Sequence, residues 1–335
     1  MNLLTNREYL GLTVPFMLST MTQPLMGAVN TAVMGQLPDP KYIAAVSLGA
    51  ILFNNLYWLF GFLRVSTTGY AAQAFGAADR ELGTLAFFKP LVLALLISIA
   101  CIVLQKPILE GYLAMIGAAP EVNALCREYY YILIWGAPLV LGNYVALGWL
   151  MGQTRVRASV FMQVSMNVLN MALSIWFVFG LHMDIVGVAF ATLLSQLYGG
   201  VISVVLMYYY GEFDYKNLPW GELLDWRTFI GMLKVNVNLM IRTACLLTVN
   251  NIIAAVGASF GTVVLAANAV LLQLKDIMSY LIDGMANGAA IFSGRAVGAK
   301  SGAGLDAAIR MTFKWLVVLA VILMGVYAAG NEFFI

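Results

Sequence analysis

The chain has 335 residues, of which 62% are hydrophobic and only 10% charged, with a mean hydropathy of +0.87. An ordinary soluble domain carries about 25% charged residues, so this composition excludes one and points to an all-α polytopic membrane protein. The formal charge of +2 is spread over scattered basic residues, which carries no nucleic-acid signal.

In chain order, a short polar lead-in (Met1 to Glu8) precedes nine predicted spans, at 9–35, 42–68, 86–105, 125–151, 158–180, 185–210, 228–256, 263–293 and 309–330. Each is long enough to cross about 30 Å of hydrocarbon as a helix. The connections alternate in charge. Arg7, Arg80, Lys89, Arg155, Arg157, Lys216, Arg227, Arg295, Lys300 and Arg310 fall on one side, and little beyond Lys41, Lys106 and Arg127 on the other. By the positive-inside bias the amino terminus is expected to be cytoplasmic. Cys101, Cys126 and Cys245 are odd in number and far apart, and are expected to be buried thiols.

The stretch from Gly35 to Ala77 recurs 222 positions later, with 8 identities over 43 ungapped positions; Gly35 falls on Gly257, Ala74 on Ala296 and Gly76 on Gly298. Six spans separate the starts of the copies. An even number restores orientation, so the copies are parallel repeats about an axis along the membrane normal. The expected organisation is a six-helix lobe over 1–210, a polar linker over 211–227 and a three-helix part of a second lobe over 228–335. The fourth, fifth and sixth spans of the first copy have no counterpart in the second, so the chain is expected to be carboxy-terminally incomplete.

Polarity inside a span is costly and marks either interhelical hydrogen bonds or a cavity lining. In the first lobe it takes the form of amides and hydroxyls. Asn30 lies in the first span and Asn143 in the fourth. Asn167, Asn170 and Ser174 form an i, i+3, i+7 stripe in the fifth, and Thr192, Ser195 and Gln196 follow in the sixth. The second lobe keeps charge: Arg242 in the seventh span, and Lys275, Asp276 and Asp283 in the eighth. Asp283 is expected to pair with Arg242 or Lys275, either as a structural tie or as a protonatable, cation-binding carboxylate. Arg64 is expected to snorkel or cap. His182 lies in a tight turn and reads as a loop residue. Three Gly-x-x-x-Gly pairs, at Gly148/Gly152, Gly284/Gly288 and Gly294/Gly298, permit close helix approach. No phosphate loop, His-Glu-x-x-His or paired-Cys motif is present, so nothing points to an enzyme or a cofactor, and transport would draw on an ion gradient.

The run Pro24-Leu-Met-Gly-Ala-Val-Asn-Thr-Ala-Val-Met-Gly-Gln-Leu resembles the first-helix motif of the MATE (multidrug and toxic compound extrusion) transporters. Phe62-Leu-Arg-Val-Ser-Thr-Thr-Gly-Tyr-Ala-Ala-Gln-Ala-Phe-Gly-Ala is similar to a segment of the DinF branch, and Asn167-Val-Leu-Asn and Ile282-Asp-Gly-Met-Ala also fit the family. The resemblance implies a two-lobe bundle of twelve helices, nine of them present. It also implies export of small organic compounds, often cations, across the plasma (inner) membrane in exchange for H+ or Na+. Membrane lipid is the implied surrounding partner. The family's first-helix carboxylate falls here at Asn30, its fifth-helix carboxylate at Ser174 and an acidic sixth-helix position at Gln196. Asn170, Arg242 and Asp283 match the family pattern, so any coupling carboxylate is expected at Asp283. Other readings are a lipid-linked glycan flippase of the same superfamily, which would favour a strongly basic cavity, and a non-transporting membrane protein.

Overall fold

The computed structural model describes residues 4–37, 39, 41–117, 119–210, 221, 226–259 and 262–329, and the regular structure among them is helical. The predicted linker 211–227 lies outside the described residues apart from Gly221 and the first turn of the helix that follows it.

The first span is two helices, α1 (Asn6–Thr20) and α2 (Thr22–Gly35). α1 opens on a capping box in which the Glu8 N–H donates to Thr5 Oγ1 and the Thr5 N–H donates to the Glu8 carboxylate. α2 restarts the chain around Pro24, near a helix start where a missing N–H costs little. The second span is α3 (Lys41–Leu59) and α4 (Phe62–Ala77), joined by a tight turn in which the Gly61 N–H donates to the Trp58 carbonyl at 3.0 Å. α5 (Arg80–Val103) is capped by Asp79, whose carboxylate accepts the N–H groups of Glu81 and Leu82 at 3.0 Å each. A short helix not expected from the sequence, α6 (Gln105–Ile116), buries Leu109 and Leu113 one turn apart and stops at Gly117, whose φ of 63° suits glycine.

α7 (Pro120–Leu133) runs through a 3-10 turn at Ile134–Gly136 into α8 (Ala137–Gly152). α9 (Val156–Ile175) ends in a π turn at Trp176–Gly180, and α10 (Asp184–Tyr210) follows. His182, exposed and with φ of 55°, sits in the turn between them. The second copy comprises α11 (Trp226–Ser259), α12 (Thr262–Gly298) and α13 (Gly302–Ala329). Six continuous helical stretches are long and apolar enough to cross a membrane among the described residues, from Lys41–Ala77 to Gly302–Val326. Exposed apolar side chains such as Leu96, Ile99, Val204, Val317 and Val321 sheathe the bundle, as a lipid solvent requires. Cys101 and Cys126 are buried as expected, but Cys245 is exposed, on a face of α11 that the described helices leave uncovered.

The repeat is visible in how the copies pack. α5 and α13 begin 222 positions apart, at Arg80 and Gly302. α4 lies between α8 on one side and the last turns of α12 on the other. A Cβ on Gly76 would strike the Arg295 carbonyl, and a Cβ on Gly298 would strike the Gln73 carbonyl. Gly76 and Gly298 are 222 positions apart, as are Gln73 and Arg295. The contact is therefore reciprocal, each copy offering the same two residues to the other, as across a two-fold axis. Between them Ala72 meets its own counterpart: a Cβ on Gly294 would lie 2.7 Å from the Ala72 Cβ. The other two Gly-x-x-x-Gly pairs also mark crossings, Gly148 and Gly152 against Arg64 and Thr68 of α4, and Gly284 and Gly288 against Met17 and Thr13 of α1.

Tyr9 ties α1 to the second copy. It is fully buried, stacks on Phe292 at 5.5 Å and donates its O–H to Thr312 Oγ1 at 3.2 Å. Tyr9→Phe is expected to cost about 1 kcal/mol by losing that bond, and Tyr9→Ala about 3–5 kcal/mol by opening a cavity. Thermal unfolding of the purified variants checks the order.

Candidate substrate and ion site

The fifth-span stripe is buried and does bring residues together. Asn167, Asn170 and Ser174 turn one face of α9 toward α2 and α10, with Asn170 and Ser174 fully buried. Asn30 Nδ2 on α2 donates to Asn170 Oδ1 at 3.0 Å. Asn170 Nδ2 in turn donates to Thr192 Oγ1 at 3.0 Å and reaches Ser195 Oγ at 3.4 Å on α10. Asn167 Nδ2 donates to Thr22 Oγ1 at the start of α2, a partner the sequence reading missed because nothing in the local pattern singles Thr22 out. Asn30 Oδ1 and Ser174 Oγ are both buried without a hydrogen-bond partner among the described residues. Buried polar atoms are normally satisfied, and these two lie at two of the positions where the resemblance implies carboxylates. The π turn begins two residues after Ser174; such turns cluster at functional sites.

Gln196 is not part of this cluster. It faces α8, where Asn143 Nδ2 donates to its side-chain Oε1 and to its backbone carbonyl at 2.9 Å each. None of these amides or hydroxyls changes charge over the ordinary pH range. The network can hold a cation or a polar group of a substrate through its oxygens but cannot exchange a proton.

The second copy holds the charge. Lys275, half-buried on α12, donates to Asn250 Oδ1 on α11 at 3.0 Å and ties the two helices. The side chain of Asp276 lies outside the described residues. Asp283 is exposed on α12, as is Arg242 on α11. The expected pairing of Asp283 with Arg242 or Lys275 is not formed: among the described residues no nitrogen–oxygen approach within 4.0 Å joins Asp283 to a cation. The charges that reach its carboxylate are instead those of Arg64 and Arg242, one from each copy. Arg64 lies on α4, the helix that crosses α12, and its charge acts on this carboxylate only from beyond 4.0 Å. The sequence hid this because Arg64 and Asp283 are brought near by the α4–α12 crossing, not by any local spacing. The Asp283 carbonyl accepts from Asn287 Nδ2 at 2.6 Å.

The comparisons with known proteins agree with this architecture. The MatE family model matches residues 15–176. The chain is 34% identical over 324 residues to the DNA damage-inducible protein F of Escherichia coli (strain K12), an alignment covering 96% of this chain and 70% of that protein. It is 26% identical to a probable multidrug resistance protein NorM of Bradyrhizobium diazoefficiens, over 98% of this chain and 72% of the relative. Among solved structures it superposes on a MATE transporter in complex with MaD5 with a TM-score of 0.87 at 21% identity, covering 98% of this chain and 74% of that one. It also superposes on an outward-facing MATE family multidrug resistance transporter of the MOP superfamily, with a TM-score of 0.85 at 22% identity over 99% and 74% of the two chains. These matches establish the two-lobe helical fold and place the protein among transporters rather than enzymes: the chain belongs to the MatE family.

Proposed function

We propose that the protein is a multidrug exporter of the plasma (inner) membrane, moving small organic and chiefly cationic compounds by alternating access in exchange for H+ or Na+. The observation that carries this reading is Asp283. An exposed carboxylate on a spanning helix, acted on at longer range by the charge of one arginine from each copy, is suited to an aqueous opening between the lobes rather than to lipid. A cation or proton bound there would compete with Arg64 and Arg242 for the same carboxylate, and so would couple binding to how the copies sit against each other. The names of the relatives, a probable multidrug resistance protein and a multidrug export protein, support the substrate class. The uneven distribution of basic residues supports a cytoplasmic amino terminus.

The first-lobe amide cluster would then serve as a polar wall of the substrate path, with Asn30, Asn167, Asn170 and Ser174 contributing oxygens and Gln196 bracing α10. Asn170→Ala strips Asn30 and Thr192 of their shared partner and is expected to cost about 1–3 kcal/mol of stability, read as a lower unfolding midpoint. Restoring a carboxylate with Asn30→Asp is expected to add a pH-dependent step to substrate binding that the wild-type first lobe lacks. Titrating affinity for ethidium against pH in both proteins checks this. The proposed activity itself is tested by ethidium accumulation in cells: expression of the wild-type chain should lower it and an empty vector should not. Equal accumulation in both would remove the reading. The uncharged first-lobe site favours one second reading, a family member that no longer couples to an ion, and the same assay separates the two.

A further inference from the structure

The two ends of the bundle treat their cations differently. The three ion pairs among the described residues lie toward one end, where Lys41 meets Asp39 at 3.0 Å and Glu121 at 3.8 Å, and Arg127 meets Glu110 at 2.8 Å. At the opposite end a cavity of about 700 Å³ opens between the start of α1, the α8–α9 turn and the α12–α13 turn. Four arginines line it, Arg7, Arg155, Arg157 and Arg295, against one acid, Glu8. That acid is occupied, accepting from the Thr5 N–H at 3.1 Å and the Thr5 O–H at 3.0 Å. No carboxylate comes within 4.0 Å of Arg7, Arg157 or Arg295 among the described residues.

Two of the guanidinium groups are held in place by rings. Arg155 lies over Tyr210 at 4.5 Å, and Arg295 lies over Phe75 at 5.1 Å and Phe292 at 5.9 Å. Stacking fixes the planar fork and lowers the entropy lost when it binds an oxyanion. The helix starts at the cavity reinforce the sign. α1 and α13 are capped by Thr5 and Ser301. α9, twenty residues long, has no side-chain cap, and its first turn (Val156, Arg157, Ala158) lines the cavity. The unsatisfied N–H groups there carry the positive end of the helix dipole. Three elements thus bring arginines together with an uncapped helix start around a shared space, and among the described residues Arg7, Arg157 and Arg295 have no carboxylate in direct contact to offset their charge. The rest of the wall is apolar, including Leu4, Leu12 and Phe292.

We propose that this cavity is a binding site for a phosphate-bearing anion, held by Arg7, Arg155, Arg157 and Arg295 and by the α9 amino terminus, separate from the path that transports substrate. None of the nine residues predicted for the substrate and ion site lines it. Its walls come from both copies of the repeat, Arg155 and Arg157 from the first and Arg295 from the second, so an anion seated there bridges them. Guanidinium forks and backbone N–H groups recognise a phosphate monoester or diester equally well. The source can be an anionic lipid headgroup or a soluble phosphate.

The test is thermal unfolding of the purified 335-residue protein, titrated separately with dihexanoyl-phosphatidylglycerol, dihexanoyl-phosphatidylcholine and inorganic phosphate. Ligand binding to the folded state raises the midpoint in proportion to affinity. Saturable stabilisation by phosphatidylglycerol but not phosphatidylcholine identifies a lipid headgroup; stabilisation by inorganic phosphate at similar concentration identifies a soluble source. In either case Arg7→Gln/Arg157→Gln, both exposed positions whose loss should leave the fold intact, is expected to weaken binding roughly tenfold. Arg295→Gln provides a second variant from the other copy. The proposal is overturned if neither probe stabilises the wild type, if phosphatidylcholine acts as well as phosphatidylglycerol, or if the variants bind like the wild type.

Discussion

Gly298→Ala lowers the thermal unfolding midpoint of the protein by roughly 5 °C, and Gly76→Ala does nearly the same. The reason is the reciprocal crossing of α4 and α12. Each glycine faces a backbone carbonyl of the other copy with no room for a Cβ, Gly76 against Arg295 and Gly298 against Gln73. A carbonyl on a helix cannot swing aside as a side chain can, so the helices must separate. Forcing a methyl into a closed contact of this kind costs about 1–3 kcal/mol, and a chain of this size loses about 2–4 °C per kcal/mol. Because both substitutions open the same crossing, the double variant should lose less than the sum. Gly111→Ala is the control: nothing lies within 4 Å of its would-be Cβ, and alanine is the better helix former. Its midpoint should stay level or rise slightly. A Gly298→Ala midpoint equal to wild type would mean that the crossing is looser than described.

The same crossing shows what the sequence could and could not reveal. Membrane class, helix positions and the 222-residue repeat were legible because apolar length and glycine punctuation are local signals that survive in one dimension. The Asn167–Asn170–Ser174 stripe was legible for the same reason, since helical periodicity alone puts the three on one face. What that face met was not. The partnership of Asn30 with Asn170 joins residues 140 apart, and Thr22 looked like any hydroxyl near a helix start. The expected direct pairing of Asp283 with Arg242 or Lys275 is not formed, because Lys275 turns to Asn250 on the neighbouring helix and no cation comes within 4.0 Å of Asp283 among the described residues. The helix α6 is hidden in the sequence because, at 12 residues, it is too short to span, yet two buried leucines one turn apart suffice to seat it. The cavity of arginines was visible only as a charge bias between loops; that four of them converge is a property of three turns meeting in space.

Asp283→Asn is expected to remove gradient-driven export, with a loss of at least about tenfold in rate, while the protein still folds and binds substrate. The amide keeps the size of the carboxylate but cannot exchange a proton or neutralise a cation. With Asn30 and Ser174 already uncharged, the first-lobe cluster offers no substitute. Asp283→Glu, which keeps the charge, should retain part of the coupling. The informative readout is the split between binding and flux: ethidium affinity in detergent should change less than threefold while flux into a gradient collapses. If Asp283→Asn exports ethidium as the wild type does, the coupling group lies elsewhere and the role assigned to the Arg64–Asp283–Arg242 arrangement is wrong.

The measurement that bears most directly on the account is ethidium flux in proteoliposomes containing the wild-type chain, with a pH gradient and a sodium gradient imposed in turn. The account predicts flux above that of protein-free liposomes with one of the two gradients, abolished when that gradient is dissipated. Flux equal to protein-free liposomes under both gradients would contradict it.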